Sequence, residues 1–200
     1  TPGSWQHVYS PLLHASWDGF TFADIVFPTF LFVVGAAMFY SLKTTELCGK
    51  SVWRISSRAL KLIGIGVLLN YVPFTVELSE LRLPGVLQRI GLAYWLAALL
   101  VLTVKRRYLP VISVALVLLY WLALLLGGGE QPYSLEQNLV RQWDLAIFGA
   151  AHLYQGFGVA FDPEGLLSTL PCVVAVLIGF GTASTLQGRE HQAALRLLCL

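Results

Sequence analysis

Five stretches of this chain are each about 20 residues long and almost wholly apolar. They lie near residues 23–42, 55–74, 85–104, 108–126 and 166–186, and the closing sequence AALRLLCL predicts the start of a sixth. A helix of about 20 apolar residues crosses the hydrocarbon core of a bilayer, where the backbone must satisfy its own hydrogen bonds. The spacing therefore predicts an all-α polytopic membrane bundle, with about five transmembrane helices in a single domain over residues 1–200.

The charged residues are too few for a soluble protein of this size. Asp, Glu, Lys and Arg make up 12% of the 200 residues, about half the usual ~25% of a soluble domain. This composition excludes a disordered chain, a nucleic-acid-binding domain and an ordinary cytosolic enzyme. The three cysteines, Cys48, Cys172 and Cys199, do not have the spacing of metal ligands, and no metal site is predicted.

The positions of the charges predict the orientation of the spans. Ten of the thirteen basic residues flank the spans on one side, which the positive-inside rule makes the cytosolic side. Residues 1–22, 75–84 and 127–165 then face the exterior or a lumen, and nine of the eleven acids lie on or near that side. The long segment 127–165 is too polar to span, so it is predicted to fold back over the outer face as a lid or re-entrant element.

The segment that precedes the first span is the first candidate site. A carboxylate close to a histidine orients the ring and stabilises the imidazolium, so His14 and Asp24 favour general-base chemistry. Two plainer interpretations stay open: Asp24 caps the start of the helix, and His14 is an ordinary interfacial histidine. Trp17 and Asp18 lie between them and are candidate substrate ligands.

Polar residues near the start of the third span form the second candidate site. Ionisable residues at membrane depth usually face a cavity or a partner, which makes Gln88 and Arg89 candidate substrate ligands. Alternatively, Arg89 extends to the outer interface while its stem stays in the apolar layer. Small residues elsewhere in the spans, namely Gly64, Gly66, Gly179 and Gly181, are predicted to allow close helix packing.

The long outer segment supplies the third candidate site. Carboxylates bind sugar hydroxyls, aromatic rings stack on pyranose faces, and an acidic pocket attracts an amino-sugar cation. The candidate ligands of this kind are Asp144, His152, Tyr154, Asp162 and Glu164, and the same segment also carries the polar residues Asn138, Arg141 and Gln155. Asp162 and Glu164 directly precede the fifth apolar run, so a capping role is also open for one of them.

Three stretches together resemble the heparan-α-glucosaminide N-acetyltransferase family. They are HASWDGFTFADIVFPTFLFVVG (residues 14–35), LRLPGVLQRIGLAY (residues 81–94) and the series from Asp144 to Thr169, in the order of the family. The resemblance implies a membrane enzyme that transfers acetyl from cytosolic acetyl-CoA to a glucosamine-type amine or glycan end on the outer face. The active-site histidine of the family falls on His14, and Asp18 stands where an asparagine is expected. It also implies that this chain is a fragment, with a first helix before Thr1 and further helices after Leu200.

The same resemblance sets the expected partners. Acetyl-CoA is expected as the acyl donor, and Arg58, in the basic inner region, is a candidate contact for its phosphates. The family suggests a homodimer but leaves the oligomeric state open. The small number of lysines, rather than the resemblance, favours a bacterial inner membrane. The lipid bilayer is the other expected partner, and nucleic acid is not expected. His14 acts either as a base or through a covalent acetyl-His14. A sugar transporter is the competing function, although no repeated pair of broken helices favours it, and a non-catalytic scaffold is the third.

Overall fold

The described part of the chain folds into six α-helices. The computed structural model describes residues 8–9, 12–15, 17, 19–42, 45–156 and 158–198, with side chains described as far as residue 188. The helices are α1 (Ala23–Leu42), α2 (Gly49–Tyr71), α3 (Val86–Thr103), α4 (Leu109–Gly127), α5 (Leu139–Phe148) and α6 (Thr169–Leu198). Short 3-10 helices cover Leu78–Glu80, Arg106–Tyr108 and Ala150–His152. Within the described ranges, the β pairing is one isolated antiparallel bridge between Tyr154 and Phe161.

The long helices alternate in direction, so the bundle has two distinct ends. At the end where α1, α3 and α6 begin, the Asn70 amide near the end of α2 donates to the carbonyls of Arg82 and Pro84, both at 2.9 Å. We call this the cavity end. At the opposite end, the guanidinium of Arg106 lies over the rings of Phe39 and Phe180, 5.6 and 5.5 Å from their centroids. We call this the basic end.

Helices α1 and α6 form the most extensive contact in the bundle. A Cβ atom added to Gly35 of α1 would lie 1.9 Å from the carbonyl oxygen of Val176, and one added to Gly179 of α6 would lie 1.9 Å from that of Phe32. Glycine at both positions lets the two backbones approach more closely than any side chain would permit. Around this contact the apolar core buries Leu31, Met38, Val173 and Phe180.

The predicted spans agree with the helices, with three differences. Four helices in the described part of the chain, namely α1, α3, α4 and α6, are long and apolar enough to cross a membrane. Helix α2 has 23 residues and also runs from one end to the other, but its first half carries Lys50, Arg54, Arg58 and Lys61. The expected sixth segment is wrong, because AALRLLCL continues α6 as far as Leu198. The ten-residue helix α5 lies inside the segment that was predicted to be a lid or re-entrant element.

Candidate functional site

A cavity of about 670 Å³ opens at the cavity end of the bundle. Its wall is built from the segment before α1, the segment before α3, the last turns of α4, the first turn of α5 and the loop before α6. The three segments predicted to lie on one side of the membrane therefore meet around a single cavity. Its ionisable lining residues include His14, Asp24, Arg82, Arg141 and Glu164.

The histidine and the aspartate of the first candidate site are in direct contact. The Nδ1 atom of His14 lies 2.7 Å from Oδ1 of Asp24. Since a carboxylate only accepts, Nδ1 carries the proton and Nε2 keeps its lone pair for another group. The His14 side chain is 77% exposed, so a molecule in the cavity can reach this nitrogen.

The second oxygen of the same carboxylate caps the start of α1. Oδ2 of Asp24 accepts hydrogen bonds from the backbone N–H of Thr21 at 2.8 Å and from the Thr21 hydroxyl at 3.0 Å. The Thr21 hydroxyl also lies 2.6 Å from the carbonyl oxygen of Leu13, beside His14. The capping and the catalytic interpretations of Asp24 are thus compatible, because each uses a different oxygen.

The opposite wall of the cavity contains an arginine that forms ion pairs with two carboxylates. Nε and Nη2 of Arg82 donate to the two oxygens of Asp162 at 2.8 and 2.7 Å, and Nη2 also donates to Glu164. The backbone N–H groups of Tyr154 and Glu164 also donate to Asp162, whose side chain is fully buried. Asp162 therefore holds the loop before α6 in place. Both of its carboxylate oxygens accept hydrogen bonds from the protein itself rather than from a ligand.

Glu164 is the acid of this cluster that remains accessible from the cavity. Its side chain is 20% exposed. Burial raises the pKa of the Glu164 carboxyl and the charge of Asp162 raises it further, although Arg82 opposes both effects. The raised pKa favours exchange of a proton between Glu164 and a bound molecule. When Glu164 is ionised, Arg82 faces two carboxylates, so one negative charge is left for a cation in the cavity.

Two more charged residues lie beneath the cavity wall. Asp144 is completely buried, its Oδ1 accepts the N–H of Leu166 at 2.9 Å, and its Oδ2 has no hydrogen-bond partner among the described residues. Burial raises the pKa of Asp144 to about 6. Arg89 donates to the carbonyls of Pro163 and Gly165 at 2.6 and 3.2 Å, so it holds the loop that carries Glu164.

The remaining predicted ligands are used in different ways. Trp17 lines the cavity, and its indole N–H donates to the carbonyl of Tyr133 at 2.8 Å, which ties the first segment to the long outer loop. Tyr154 also lines the cavity, with its ring 5.2 Å from the guanidinium carbon of Arg82. Asp18 lies outside the described residues.

Four of the predicted ligands do not line this cavity, namely Gln88, Arg89, Asp144 and His152. The Gln88 amide donates to the Leu83 carbonyl at 3.0 Å, and Nδ1 of His152 lies 2.7 Å from the Leu81 carbonyl. Both side chains hold the segment before α3 in place. Their expected role as direct ligands is therefore not supported by their position.

The predicted contact for acetyl-CoA lies far from the cavity. Arg58 is exposed and precedes Asn70 by three turns of α2, a distance of about 18 Å along the helix axis. The structure thus separates Arg58 from the His14 and Asp24 pair.

Sequence reasoning missed two residues of the cavity wall, which are Arg82 and Tyr120 near the end of α4. Arg141, one of the polar residues noted in the long outer segment, also lines the cavity. Tyr120 lies within an otherwise apolar helix, and a polar side chain there was a usable signal. Nothing local marks Arg82, because its carboxylate partners follow it by 80 and 82 residues.

Comparison with known proteins places this arrangement in context. Residues 5–198 match the family described as heparan-alpha-glucosaminide N-acetyltransferase, catalytic. The chain is 28% identical to the heparan-alpha-glucosaminide N-acetyltransferase of Mus musculus and 29% identical to that of Homo sapiens, with 83% of this chain covered in each case. The aligned region is 33% of each relative, so the chain spans about a third of their length.

Proposed function

Since the chain belongs to the heparan-α-glucosaminide N-acetyltransferase family, we propose that the protein transfers an acetyl group from acetyl-CoA to the amine of a glucosamine-type sugar. The contact of 2.7 Å between His14 and Asp24 at the cavity carries this proposal. It supplies an oriented, accessible base, which amine acylation requires because an ammonium ion has no lone pair with which to attack.

The steps follow from the positions of the residues. The acceptor ammonium binds in the cavity, where the Glu164 carboxylate offers a counter-charge. Nε2 of His14 takes one proton, and Asp24 stabilises the imidazolium through Nδ1. The freed amine attacks the thioester carbonyl, the C–N bond forms and the C–S bond breaks. The acylated nitrogen loses its second proton, which the departing thiolate takes, and the His14 imidazolium returns its own proton to solvent. The products are the N-acetyl sugar and coenzyme A.

Acetyl-CoA is proposed to approach from the basic end. Three cations lie at this end, namely Lys105, Arg106 and Arg107. Arg58 is exposed and lies closer to the basic end than the cavity does. Phosphates of the donor pair well with such cations. We further propose that the protein lies in a bacterial inner membrane with the cavity end turned away from the cytosol, in line with the positive-inside rule.

Replacement of His14 tests the proposal. His14→Ala is expected to lower the kcat for acetylation of glucosamine about 10²–10⁴-fold, since that is the usual contribution of a positioned base. His152→Gln is the matched control, because this second histidine of the cavity end does not line the cavity. Normal acetylation by His14→Ala would overturn the proposal, and sugar flux without any acetylation would favour a permease.

A covalent route through acetyl-His14 is the alternative mechanism. Rapid mixing of the protein with radiolabelled acetyl-CoA, in the absence of acceptor, distinguishes it from direct transfer. Label that stays on the protein and is lost in His14→Ala supports the covalent route. Absence of label, with normal turnover once glucosamine is added, supports direct transfer.

A further inference from the structure

The cavity wall carries two arginines that differ in their partners, because within the described ranges only one of them is paired with carboxylates. Arg82 contacts two carboxylates, Asp162 and Glu164. Arg141 donates through Nε to the carbonyl of Ala160 at 2.8 Å and through Nη1 to the carbonyl of Glu136 at 3.0 Å. The ion pairs among the described residues do not include Arg141. Carbonyl oxygens therefore accept from two of its five N–H groups, and no ion pair with a described residue compensates its positive charge.

The position of this charge is fixed by its surroundings. Arg141 lies in the first turn of α5, and its own N–H donates to the Asn138 side chain at 2.8 Å. Its side chain is half-buried and lines the cavity that also contains His14. A guanidinium stays protonated at all physiological pH values and presents a planar array of donors that suits carboxylates, phosphates and sulfates. A fixed, half-buried cation of this kind gains most from an anion that enters the cavity.

We propose that Arg141 forms an anion subsite in the cavity, which binds an acidic substituent of the acceptor sugar while the amine faces His14. This inference rests on the proposed function, because it specifies the acceptor of the same site. The acceptor is then bipolar: its ammonium meets His14 and Glu164, and its carboxylate, phosphate ester or sulfate ester meets Arg141. The phosphates of acetyl-CoA are a less suitable occupant, since that donor is proposed to approach from the basic end.

Direct binding measurements test the subsite without any catalytic step. Glucosamine 6-phosphate and glucosamine are titrated into the protein in nanodiscs, in the absence of acetyl-CoA. The wild type is expected to bind the phosphate ester at least about tenfold more tightly, and Arg141→Gln is expected to abolish that difference. Arg141→Lys keeps the charge and should retain part of the difference. Glu130→Gln, at an exposed position between α4 and α5, should retain all of it.

The ionic-strength dependence gives a second measurement that needs no variant. The preference of the wild type for the phosphate ester should decline as salt is raised, because screening weakens the contact with Arg141. Equal binding of the two sugars by the wild type would overturn the proposal. Binding of inorganic phosphate as tight as that of the sugar phosphate would also overturn it, since the subsite would then serve a free anion.

Acetylation assays separate this inference from the proposed function. A lower KM for glucosamine 6-phosphate than for glucosamine, lost in Arg141→Gln with the KM for acetyl-CoA unchanged, supports both. Acetylation of glucosamine with no preference for the anionic acceptor retains the proposed function and overturns the subsite. Arg141-dependent binding without acetylation of either sugar retains the subsite and overturns the proposed function.

Discussion

At the scale of single residues, Asp24 has two roles because its two oxygens face different partners. Oδ1 contacts His14, and Oδ2 accepts from Thr21 at the start of α1. An asparagine can keep one acceptor for the cap, but its amide N–H₂ group cannot accept the Nδ1 proton of histidine. The cap and the orientation of the ring can therefore be separated by substitution.

Asp24→Asn is expected to lower kcat about 10²-fold or more and to leave the melting temperature nearly unchanged. The reason is that His14 loses the carboxylate that orients it and stabilises its protonated form. The measurement is steady-state acetylation of glucosamine together with thermal unfolding. Thr21→Val serves as the control, because it removes the hydroxyl contacts with Oδ2 and with the Leu13 carbonyl but keeps the contact between Oδ1 and His14. A kcat for Asp24→Asn equal to that of this control would contradict the assigned role.

Asp144 predicts a dependence of stability on pH. Its pKa is raised to about 6 by burial, from an ordinary value of 3.8, so the folded protein retains a proton that the unfolded chain has lost between these values. Its contribution to stability is therefore fully present below about pH 4 and is lost as the pH rises through about 6, with a change of roughly 2–3 kcal/mol. Thermal unfolding of the wild type and Asp144→Asn should show the wild type losing stability relative to the variant across this window. Parallel curves would contradict the protonation assigned to Asp144.

The sequence allowed residue roles to be predicted where partners are close along the chain. His14 and Asp24 are separated by ten residues around a helix start, and Asp24 was a candidate for the carboxylate that orients His14. Asp162 was expected to bind sugar, yet its side chain is fully buried against Arg82, 80 residues earlier. A pattern of acids and aromatics cannot show which carboxylate a distant arginine will neutralise. A pairing between residues 80 positions apart can be identified only in the folded structure.

At the scale of helices, apolar length was the strongest signal. The first predicted span coincides with α1, Ala23–Leu42, because a continuous apolar run has only one way to satisfy its backbone in lipid. Helix α5 was missed because it is short and half polar. Its boundaries were nevertheless readable: Asn138 caps its start by accepting from Arg141, and Gly149, with a φ of 75°, follows its end.

Two glycines of α6, one inside and one outside the contact with α1, provide a test of how much that contact stabilises the bundle. The prediction that all four selected glycines pack closely is right for Gly66 and Gly179, whereas Gly64 and Gly181 have no atom within 4 Å of an added Cβ. Gly179→Ala should force α1 and α6 apart and lower the melting temperature by about 3–10 °C, as overpacking usually costs 1–3 kcal/mol. Gly181→Ala should leave it unchanged or raise it, since alanine favours a helix. Equal melting temperatures would show that the α1–α6 contact does not limit stability.

At the scale of the whole molecule, the two ends of the bundle differ in charge. The cavity end carries Asp24 in the first turn of α1 and the acids of the loop before α6, while the basic end carries the cations around Arg106. Helix α2 connects these ends despite its four basic residues, because they lie in its first half and its second half is apolar. The charge pattern therefore predicts that α2 crosses the membrane with the other long helices, and that Cys48 and Ser79 lie on opposite sides.

Thiol labelling checks this topology. Cys48 is exposed at the start of α2, and hydrogen bonds from Ser51 lower the pKa of its thiol, which increases its reactivity. In a Cys199→Ser background, a membrane-impermeant maleimide should label Cys48 only after cells are permeabilised, since Cys172 is buried. With Cys48→Ser added, a Ser79→Cys substitution in the exposed 3-10 turn should be labelled in intact cells. Labelling of both positions from the same side would mean that α2 does not cross the membrane. Labelling of Cys48 in intact cells, with Ser79→Cys labelled only after permeabilisation, would place the cavity on the cytosolic side. The amino-sugar acceptor and acetyl-CoA would then share one compartment.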